Sequence, residues 1–248
     1  MSMHARVNEI LGHPADARLL NINLDDFGML HAINAGILEA LEHGLARSTT
    51  IMVPCPWAIH GFMMLKERPY LHFGVHLTAI SERKNYRWGP VSPRSSVPSL
   101  IDEEGYFYPE DRMQEFLSKA DLSELETEFR AQIDTVLAEG LTPTHLDSHC
   151  DVHARRDDFF AMTARLAEEY GLALRVAQQR KAPGFLDSGI AANTHDVLDS
   201  CRVDPKDKPD AYLQRLRNLP AGLTEWAMHP AIATEELKEV IEDWPTRI

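Results

Sequence analysis

Two adjacent aspartates, Asp25 and Asp26, follow a short apolar segment near the start of the chain. Carboxylates held this close repel each other, so either a cation binds there or one of them takes up a proton. Because neighbouring side chains at a strand end diverge, one carboxylate can ligate an ion while the other faces water as a base. This division suits Asp26 as the ligand and Asp25 as the base, although an aspartate here can also cap the following turn or helix.

Histidines occur at the ends of later apolar segments. His76 lies in such a segment and by itself is interpreted as a buried structural imidazole. His145, Asp147 and His149 alternate along a predicted strand and therefore point to the same side. A run of histidines can also be a solvated loop, but carboxylates and imidazoles at successive strand ends are ligands that divalent ions accept. Together they favour a metal site.

The ligand set that we predict is Asp26, His76 and His149. One carboxylate and two imidazoles leave coordination positions open for water and substrate, as a hydrolytic metal site requires. Magnesium, zinc and manganese all accept such a set, so the residue pattern leaves the metal open.

Two further polar residues end or interrupt apolar segments. His229 precedes Pro230, a position disfavoured in a helix, and it ends a predicted strand, which makes it a candidate general acid. Arg175 lies in an apolar strand and is costly to bury unless it pairs with a carboxylate. We expect Asp25 to be its partner, either as part of the catalytic group or as an ordinary structural ion pair.

A repeating pattern of strands and helices must position these residues. Short apolar runs predict strands at 19–24, 48–53, 71–77, 145–149, 172–176 and 222–228. Helical spacing of apolar residues predicts helices at 34–45, 122–137, 157–170 and 212–218. The segment 79–109 is rich in proline, serine and glycine and predicts a long loop over a site. The alternation indicates an α/β fold with a mainly parallel sheet, and the length favours a β/α barrel over a doubly wound sheet.

Composition limits the remaining classes. With 248 residues, 44% of them hydrophobic, we expect a single domain spanning 1–248. The net charge of -13 gives no support for binding nucleic acid or an anionic membrane surface. Three cysteines without a C-x-x-C pair, and no apolar segment of signal-peptide or membrane-spanning length, lead us to expect a cytoplasmic protein.

Five segments together resemble the YdjC-like carbohydrate deacetylases in order and spacing over about residues 19–230. They are Asp25-Asp26-Phe27-Gly28, Ser48-Thr49-Thr50, Gly74-Val75-His76-Leu77, His145-Leu146-Asp147-Ser148-His149 and Met228-His229-Pro230. The resemblance implies a distorted TIM-like barrel of the polysaccharide-deacetylase type. It also implies removal of acetyl groups from N-acetylated sugars, including chitooligosaccharides, with a divalent cation.

The resemblance further implies the same three metal ligands, with Mg²⁺ as the cation and Zn²⁺ as the alternative. By position, Asp25 is the general base and His229 the catalytic acid. Asp151 stands where family members often have a histidine, which leaves the sugar and its chain length open. Family chains often continue further, so we also expect a C-terminus shortened relative to theirs.

Two other functions stay open on the sequence. One is metal-dependent hydrolysis of a different bond, in another amide, an ester or a phosphoester. The other is an inactive barrel that binds carbohydrate, for which the departure at Asp151 is a hint. The expected partner is an N-acetylated mono- or oligosaccharide, and a homodimer is compatible with the sequence.

Overall fold

The computed structural model describes residues 3–82, 85–176, 192–193, 195, 197–200 and 203–248. The described strands are β1 (Arg18–Phe27), β2 (Ser48–Ile51), β3 (His72–Leu77), β4 (His145–Ser148), β5 (Ala173–Leu174), β6 (Leu198–Asp199) and β7 (Gly222–Met228). The described α-helices are α1 (Met3–Ile10), α2 (His31–His43), α3 (Ala58–Lys66), α4 (Met113–Lys119), α5 (Leu122–Ala138), α6 (Asp157–Tyr170), α7 (Lys208–Arg217) and α8 (Glu235–Val240). Among these residues, no helix combines the length and apolarity needed to cross a membrane. Of the three cysteines, Cys201 lies outside the described residues.

The described strands form one parallel sheet in the order β5-β4-β3-β2-β1-β7-β6. This confirms the predicted α/β class with a parallel sheet. Neighbouring strands follow one another as they do around a barrel, whereas in a doubly wound sheet the strand order reverses near the middle of the sheet. Within the described ranges the edge strands β5 and β6 do not pair with each other. Over the described residues the sheet is therefore a curled half-barrel of seven parallel strands.

The interior strand β1 carries an irregularity at the place where its two aspartates occur. Its pairing with β7 is continuous up to Leu24 opposite Met228. Its pairing with β2, by contrast, shifts register between Leu24 and Phe27. Asp26 lies in this interval with a φ of 74°, in the left-handed region that few residues other than glycine adopt. Such irregularities re-aim side chains at the ends of strands, and here the side chain belongs to a predicted metal ligand.

The helix α5 agrees closely with the prediction of a helix at 122–137. Asp121 caps it by accepting the backbone N–H groups of Ser123 at 2.8 Å and Glu124 at 3.2 Å. Its apolar face is fully buried and consists of Leu125, Phe129, Ile133 and Val136. The predicted helix at 157–170 is α6, with the same bounds.

Four other predicted elements have different bounds in the structure. The helix predicted at 34–45 begins earlier, at His31, because Asn34 lies inside the first turn and its Oδ1 accepts the N–H of Gly28 at 2.6 Å. The strand predicted at 48–53 ends at Ile51 because the chain then turns, with the N–H of Cys55 donating to the carbonyl of Met52. The strand predicted at 172–176 is paired only over Ala173–Leu174, and the helix predicted at 212–218 begins at Lys208.

The segment predicted as a loop at 79–109 is folded against the sheet where it is described. It contains single 3-10 turns at Arg94–Ser96 and Pro98–Leu100. Trp88 and Phe107 are buried and joined by a backbone hydrogen bond of 3.1 Å. The Trp88 ring lies 6.1 Å from the ring of His149. The segment therefore forms one wall beside the predicted site.

Gly74 allows β3 and β4 to approach closely. A Cβ at this position would lie 2.4 Å from the carbonyl oxygen of His145 and 2.8 Å from its ring. We expect Gly74→Ala to lower the free energy of unfolding by about 1–3 kcal/mol, the usual cost of forcing an extra carbon into a packed interior. Urea unfolding of the two proteins measures this difference. An unchanged midpoint would show that the two strands separate without cost.

Candidate active site

Polar residues from several strands meet at the carboxyl edge of the sheet. Asp25 and Asp26 belong to the end of β1, His76 to β3, and His149 directly follows β4. His229 directly follows β7, which borders β1 on its other side. Because the strands are parallel, their carboxyl ends lie at one edge, and the structure brings these five residues together there.

Asp26, His76 and His149 form a compact buried group. The Asp26 Oδ1 atom lies 3.6 Å from His76 Nε2 and 3.5 Å from His149 Nδ1. One donor atom from each residue lies within 4.8 Å of the other two, and all three residues are buried. These are the three residues that the sequence pattern predicts as metal ligands, and their placement is compatible with a shared cation.

Local backbone geometry holds these side chains in place. The left-handed φ of Asp26 occurs at the irregularity in β1, and the following loop is fixed by the Asn34 contact to Gly28. After His149, Cys150 and Asp151 also adopt left-handed conformations, with φ of 53° and 52°. Non-glycine residues rarely adopt this region, and runs of them occur where function requires a particular turn. The turn after β4 thus sets the position of His149.

Each of the two imidazoles has a carboxylate behind it. His76 Nδ1 lies 2.6 Å from Asp147 Oδ1, on the side of the ring away from Asp26. His149 Nε2 lies 3.6 Å from Glu82 Oε1, again opposite the nitrogen that faces Asp26. The Asp147 contact is a hydrogen bond that keeps a proton on His76 Nδ1 and leaves Nε2 to bind a metal. Glu82 is too far from His149 Nε2 for a hydrogen bond, so it acts on this nitrogen only through its charge.

Asp25 is held by Arg175, as the sequence led us to expect. Arg175 Nη1 donates to Asp25 Oδ2 at 2.7 Å, and Nη2 donates to Oδ1 at 2.8 Å. Asn23 Nδ2 donates a further hydrogen bond to Oδ1 at 2.8 Å. Burial raises the pKa of Asp25, but the Arg175 guanidinium outweighs it, so the pKa lies below its ordinary value. Asp25 is therefore an anion at neutral pH.

His229 lies beside Asp25, the candidate base. Its Nε2 atom is 3.8 Å from Asp25 Oδ2. Its Nδ1 atom is 3.3 Å from the hydroxyl of Ser200 and 3.8 Å from Asp199 Oδ1. The side chain is 15% exposed, against 3% for His76. His229 is thus a partly accessible imidazole adjacent to the candidate base.

The remaining histidines of the β4 region have structural partners. His145 Nε2 lies 3.2 Å from Asn23 Oδ1, and burial lowers the pKa of His145 to about 4. His153 Nδ1 lies 2.6 Å from the hydroxyl of Ser148, and its Nε2 lies 3.0 Å from the carbonyl of Arg175. Neither belongs to a group that could hold a cation in the described residues.

Among the described residues, three charged side chains that contact the candidate ligands are outside the predicted site. Asp147 supports His76, and although its alternation with His149 is visible in the sequence, its role depends on β3 and β4 being adjacent. Glu82 comes from the segment after β3. Arg247 directly follows the 3-10 turn Trp244–Thr246, which comes after α8, and its Nη1 donates to Asp26 Oδ2 at 2.7 Å. No local pattern marks either Glu82 or Arg247, because both reach the site through tertiary contacts.

The charges of the centre fit a divalent cation. The centre contains five carboxylates and two guanidinium groups. The carboxylates are Asp25, Asp26, Asp147, Glu82 and Glu225, and the guanidinium groups are those of Arg175 and Arg247. Burial by itself lowers the pKa of both His76 and His149. Asp147 outweighs this effect at His76, and Cys150 and Asp26 outweigh it at His149, so both pKa values lie above the ordinary value. Such rises mean that the site attracts positive charge, which protons supply when no metal is bound.

A second group of donors, Asp25, His76 and Asp147, is also close enough to share an ion. It suits a cation less well. Both oxygens of Asp25 accept hydrogen bonds from Arg175, and Arg175 also lies 2.9 Å from Asp147 Oδ2. A cation bound there would lie against Arg175, which pairs with two of its three donors. Arg247 contacts Asp26 through Oδ2 and leaves Oδ1 toward the two imidazoles, so the group containing Asp26 is the better candidate.

A centre of carboxylates and imidazoles at the carboxyl edge of a parallel sheet is typical of α/β enzymes, in which this edge carries the active site. Within that class, the family model for YdjC-like proteins matches residues 19–247, and the chain belongs to this family. The resemblance drawn from the five sequence segments is thereby confirmed.

Several relatives carry deacetylase names. A carbohydrate deacetylase of Thermoanaerobacter pseudethanolicus is 31% identical over 228 residues, which cover 90% of this chain and 85% of that protein. A carbohydrate deacetylase of Enterococcus faecalis is 37% identical over 64% of this chain. A chitooligosaccharide deacetylase of Yersinia enterocolitica is 32% identical over 64% of this chain. The matched parts span only 59% of the last two relatives. Carbohydrate deacetylases are hydrolases that act on amide bonds.

A solved structure shows the same fold over nearly the whole chain. It is described as a cellobiose-phosphate cleavage protein from Enterococcus faecalis, with a TM-score of 0.79 and 30% identity. The match covers 93% of this chain and 88% of that one.

Proposed function

We propose that this protein is a metal-dependent hydrolase that removes acetyl groups from N-acetylated sugars such as chitooligosaccharides. The observation that carries the proposal is the buried group of Asp26, His76 and His149, whose donor atoms lie within 4.8 Å of one another. Asp25 and His229 lie beside it, which supports a base and an acid on the same reacting amide. The deacetylase names of the relatives supply the substrate class.

Asp26, His76 and His149 would hold the cation, for which we propose Mg²⁺, the ion implied by the family resemblance. Two imidazole donors also suit Zn²⁺, which is the alternative. When bound, a divalent cation at this point would polarise the acetyl carbonyl and lower the pKa of an adjacent water.

Asp25 is the proposed general base. Its lowered pKa keeps it unprotonated, and Arg175 fixes the plane of its carboxylate, so the group is ready to accept a proton in one orientation. As water attacks the acetyl carbon, its proton passes to Asp25. Burial of Asp25 excludes other water from this contact.

His229 is the proposed general acid. Ser200 and Asp199 lie near one ring nitrogen, and the other faces Asp25 and the partly open side of the site. This arrangement suits donation of a proton to the departing nitrogen as the carbon–nitrogen bond breaks. The products are acetate and a sugar with a free amine, and the water is consumed.

The cyclic strand order also supports the proposal that residues 1–248 form a single distorted β/α barrel of the polysaccharide-deacetylase type. The order β1 to β5 on one side and β7 to β6 on the other is that of a barrel opened at one seam. In such barrels the active site lies at the carboxyl edge of the strands, where Asp25 and Asp26 occur.

Metal removal tests the function directly. Dialysis against a chelator should abolish acetate release from N-acetylglucosamine and its oligomers, and adding back Mg²⁺, Mn²⁺ or Zn²⁺ separately should show which ion restores it. Elemental analysis of the untreated protein identifies the ion it carries. Release of acetate that is unaffected by the chelator would contradict metal dependence.

A phosphorylated disaccharide without an acetyl group is the informative control substrate, since a structural relative is described as a cellobiose-phosphate cleavage protein. Cleavage of that substrate, with no acetate from any N-acetylated sugar, would refute the proposed deacetylation.

A further inference from the structure

Glu82 and Arg247 lie against the cation group without belonging to it. The Arg247 side chain is only 2% exposed and that of Glu82 is 13% exposed. Buried charges are costly unless they are paired with opposite charges, so their position at this point calls for a specific role.

The two residues complete a ring of contacts with two of the candidate ligands. Asp26 Oδ1 faces His149 Nδ1 at 3.5 Å, and His149 Nε2 faces Glu82 Oε1 at 3.6 Å. Glu82 Oε1 lies 4.0 Å from Arg247 Nη2, and Arg247 Nη1 donates to Asp26 Oδ2 at 2.7 Å. Asp26 and His149 thus each turn one donor atom inward, while the other polar atom of Asp26 faces Arg247 and that of His149 faces Glu82.

We propose that Glu82 and Arg247 are positioning residues for the cation site, an inference that rests on the proposed metal-dependent function. Arg247 fixes the plane of the Asp26 carboxylate so that Oδ1 points at the cation. The negative charge of Glu82, 3.6 Å from His149 Nε2, favours the tautomer with its proton on Nε2, so that Nδ1 presents its lone pair. At the neighbouring ligand, Asp147 makes a direct hydrogen-bond contact with His76 Nδ1 at 2.6 Å. Groups that hold metal ligands in this way typically change metal affinity about 10–100-fold when removed.

Both residues come from segments that are anchored independently of the cation group. Glu82 follows Ser81, whose N–H donates to the carbonyl of Tyr108 at 2.9 Å. Arg247 accepts the N–H of Ala231 on its carbonyl at 2.9 Å and donates its own N–H to Trp244 at 3.0 Å. The folded 79–109 segment and the turn after α8 therefore act as supports for the site.

Charge and geometry make opposite predictions for Arg247. A guanidinium group near a cation repels it, so if Arg247 contributed only charge, Arg247→Met would bind the metal more tightly. If Arg247 positions Asp26, the same substitution should weaken binding despite the lost repulsion. Arg247→Lys keeps the charge but loses the planar pair of donors, so it isolates the geometric effect. Glu82→Gln keeps an acceptor near the ring and removes the charge.

The experiment measures the affinity of each chelator-stripped protein for Mn²⁺ alone by calorimetric titration, with the Co²⁺ absorption spectrum as a second readout. We expect Arg247→Lys, Arg247→Met and Glu82→Gln each to raise the Kd by about 10–100-fold and to alter the Co²⁺ spectrum. Glu39→Gln and Arg217→Met, which change exposed residues of the same types, should leave both unchanged.

Thermal unfolding of the stripped proteins separates folding from binding. If the Arg247 variants do not fold, the Co²⁺ spectrum of Glu82→Gln decides the inference, because loss of charge alone would weaken binding without changing the spectrum of the bound ion. An unchanged or lower Kd in the folded variants would overturn it while leaving the proposed function intact. Failure of the wild-type chain to bind Mn²⁺, Mg²⁺ or Zn²⁺ would instead refute the metal-dependent function itself.

Discussion

Replacing Asp25 by asparagine should lower the turnover of N-acetylated sugars by about 10²–10⁴-fold, the usual contribution of a general base. Asparagine has nearly the same shape but cannot accept the proton of the attacking water. Because both oxygens of Asp25 are occupied by Arg175 rather than directed into the group around Asp26, we expect the metal content to stay at the wild-type level. Acetate release and elemental analysis of the same preparation measure the two quantities.

The Asp25→Asn variant also distinguishes the two groups of donors. Loss of the metal along with turnover would show that the cation binds to Asp25, His76 and Asp147 instead of the group containing Asp26. Full activity would remove Asp25 from the mechanism. Glu39→Gln, an exposed carboxylate changed in the same way, is the control for nonspecific effects of losing a charge. Circular dichroism checks that the variant folds, since Arg175 keeps Glu225 and Asp147 as partners.

The fold class and the candidate ligands could be predicted because their signals are local. Buried parallel strands appear in the sequence as apolar runs, and polar residues at the ends of such runs mark the carboxyl edge of the sheet. Asp26, His76 and His149 each lie at the end of a separate run. The parallel arrangement then brings these ends together, so that chain position and strand type suffice to place the three residues near one another.

The support around these ligands could not be predicted in the same way. The pairing of Asp147 with His76 depends on which strands are neighbours, and Glu82 reaches His149 only because the segment after β3 folds back over the site. Arg247 meets Asp26 across most of the chain length. Composition and spacing carry no information about such contacts, and a proline-rich segment such as 79–109 resembles a loop even where its aromatic residues pack into the core.

The left-handed conformation of Asp26 was equally hidden. An aspartate in a strand is expected to alternate with its neighbours, which would send Asp25 and Asp26 to opposite faces of the sheet. The register shift between Leu24 and Phe27 breaks this alternation, so that both carboxylates remain at the carboxyl edge. The sequence predicts that the two side chains diverge because of regular strand geometry. In the structure they lie where the strand is irregular, and Asp26 has a left-handed backbone.

Replacing His76 or His149 by alanine should release the metal and with it the activity. Each imidazole supplies one of the three candidate ligands in the described part of the chain, so its loss should weaken binding by more than the roughly 10–100-fold that is typical when a supporting group is removed. At the protein concentrations of a purified sample, elemental analysis should then find little bound ion, and acetate release should fall to background. A large excess of the metal should restore part of the activity, because Asp25 and His229 remain in place.

His72→Ala is the matched control, since His72 lies on the same strand as His76 but is exposed and outside the cation group. It should retain both metal and turnover. The His76 variant also leaves Asp147 Oδ1 without the imidazole that it contacts at 2.6 Å, while Oδ2 keeps Arg175. A buried acceptor without a partner costs about 1–3 kcal/mol, so the unfolding midpoint should fall even in the presence of a chelator. A His76→Ala protein that keeps its metal and its activity would show that this imidazole is structural and that the cation, if one binds, is held elsewhere.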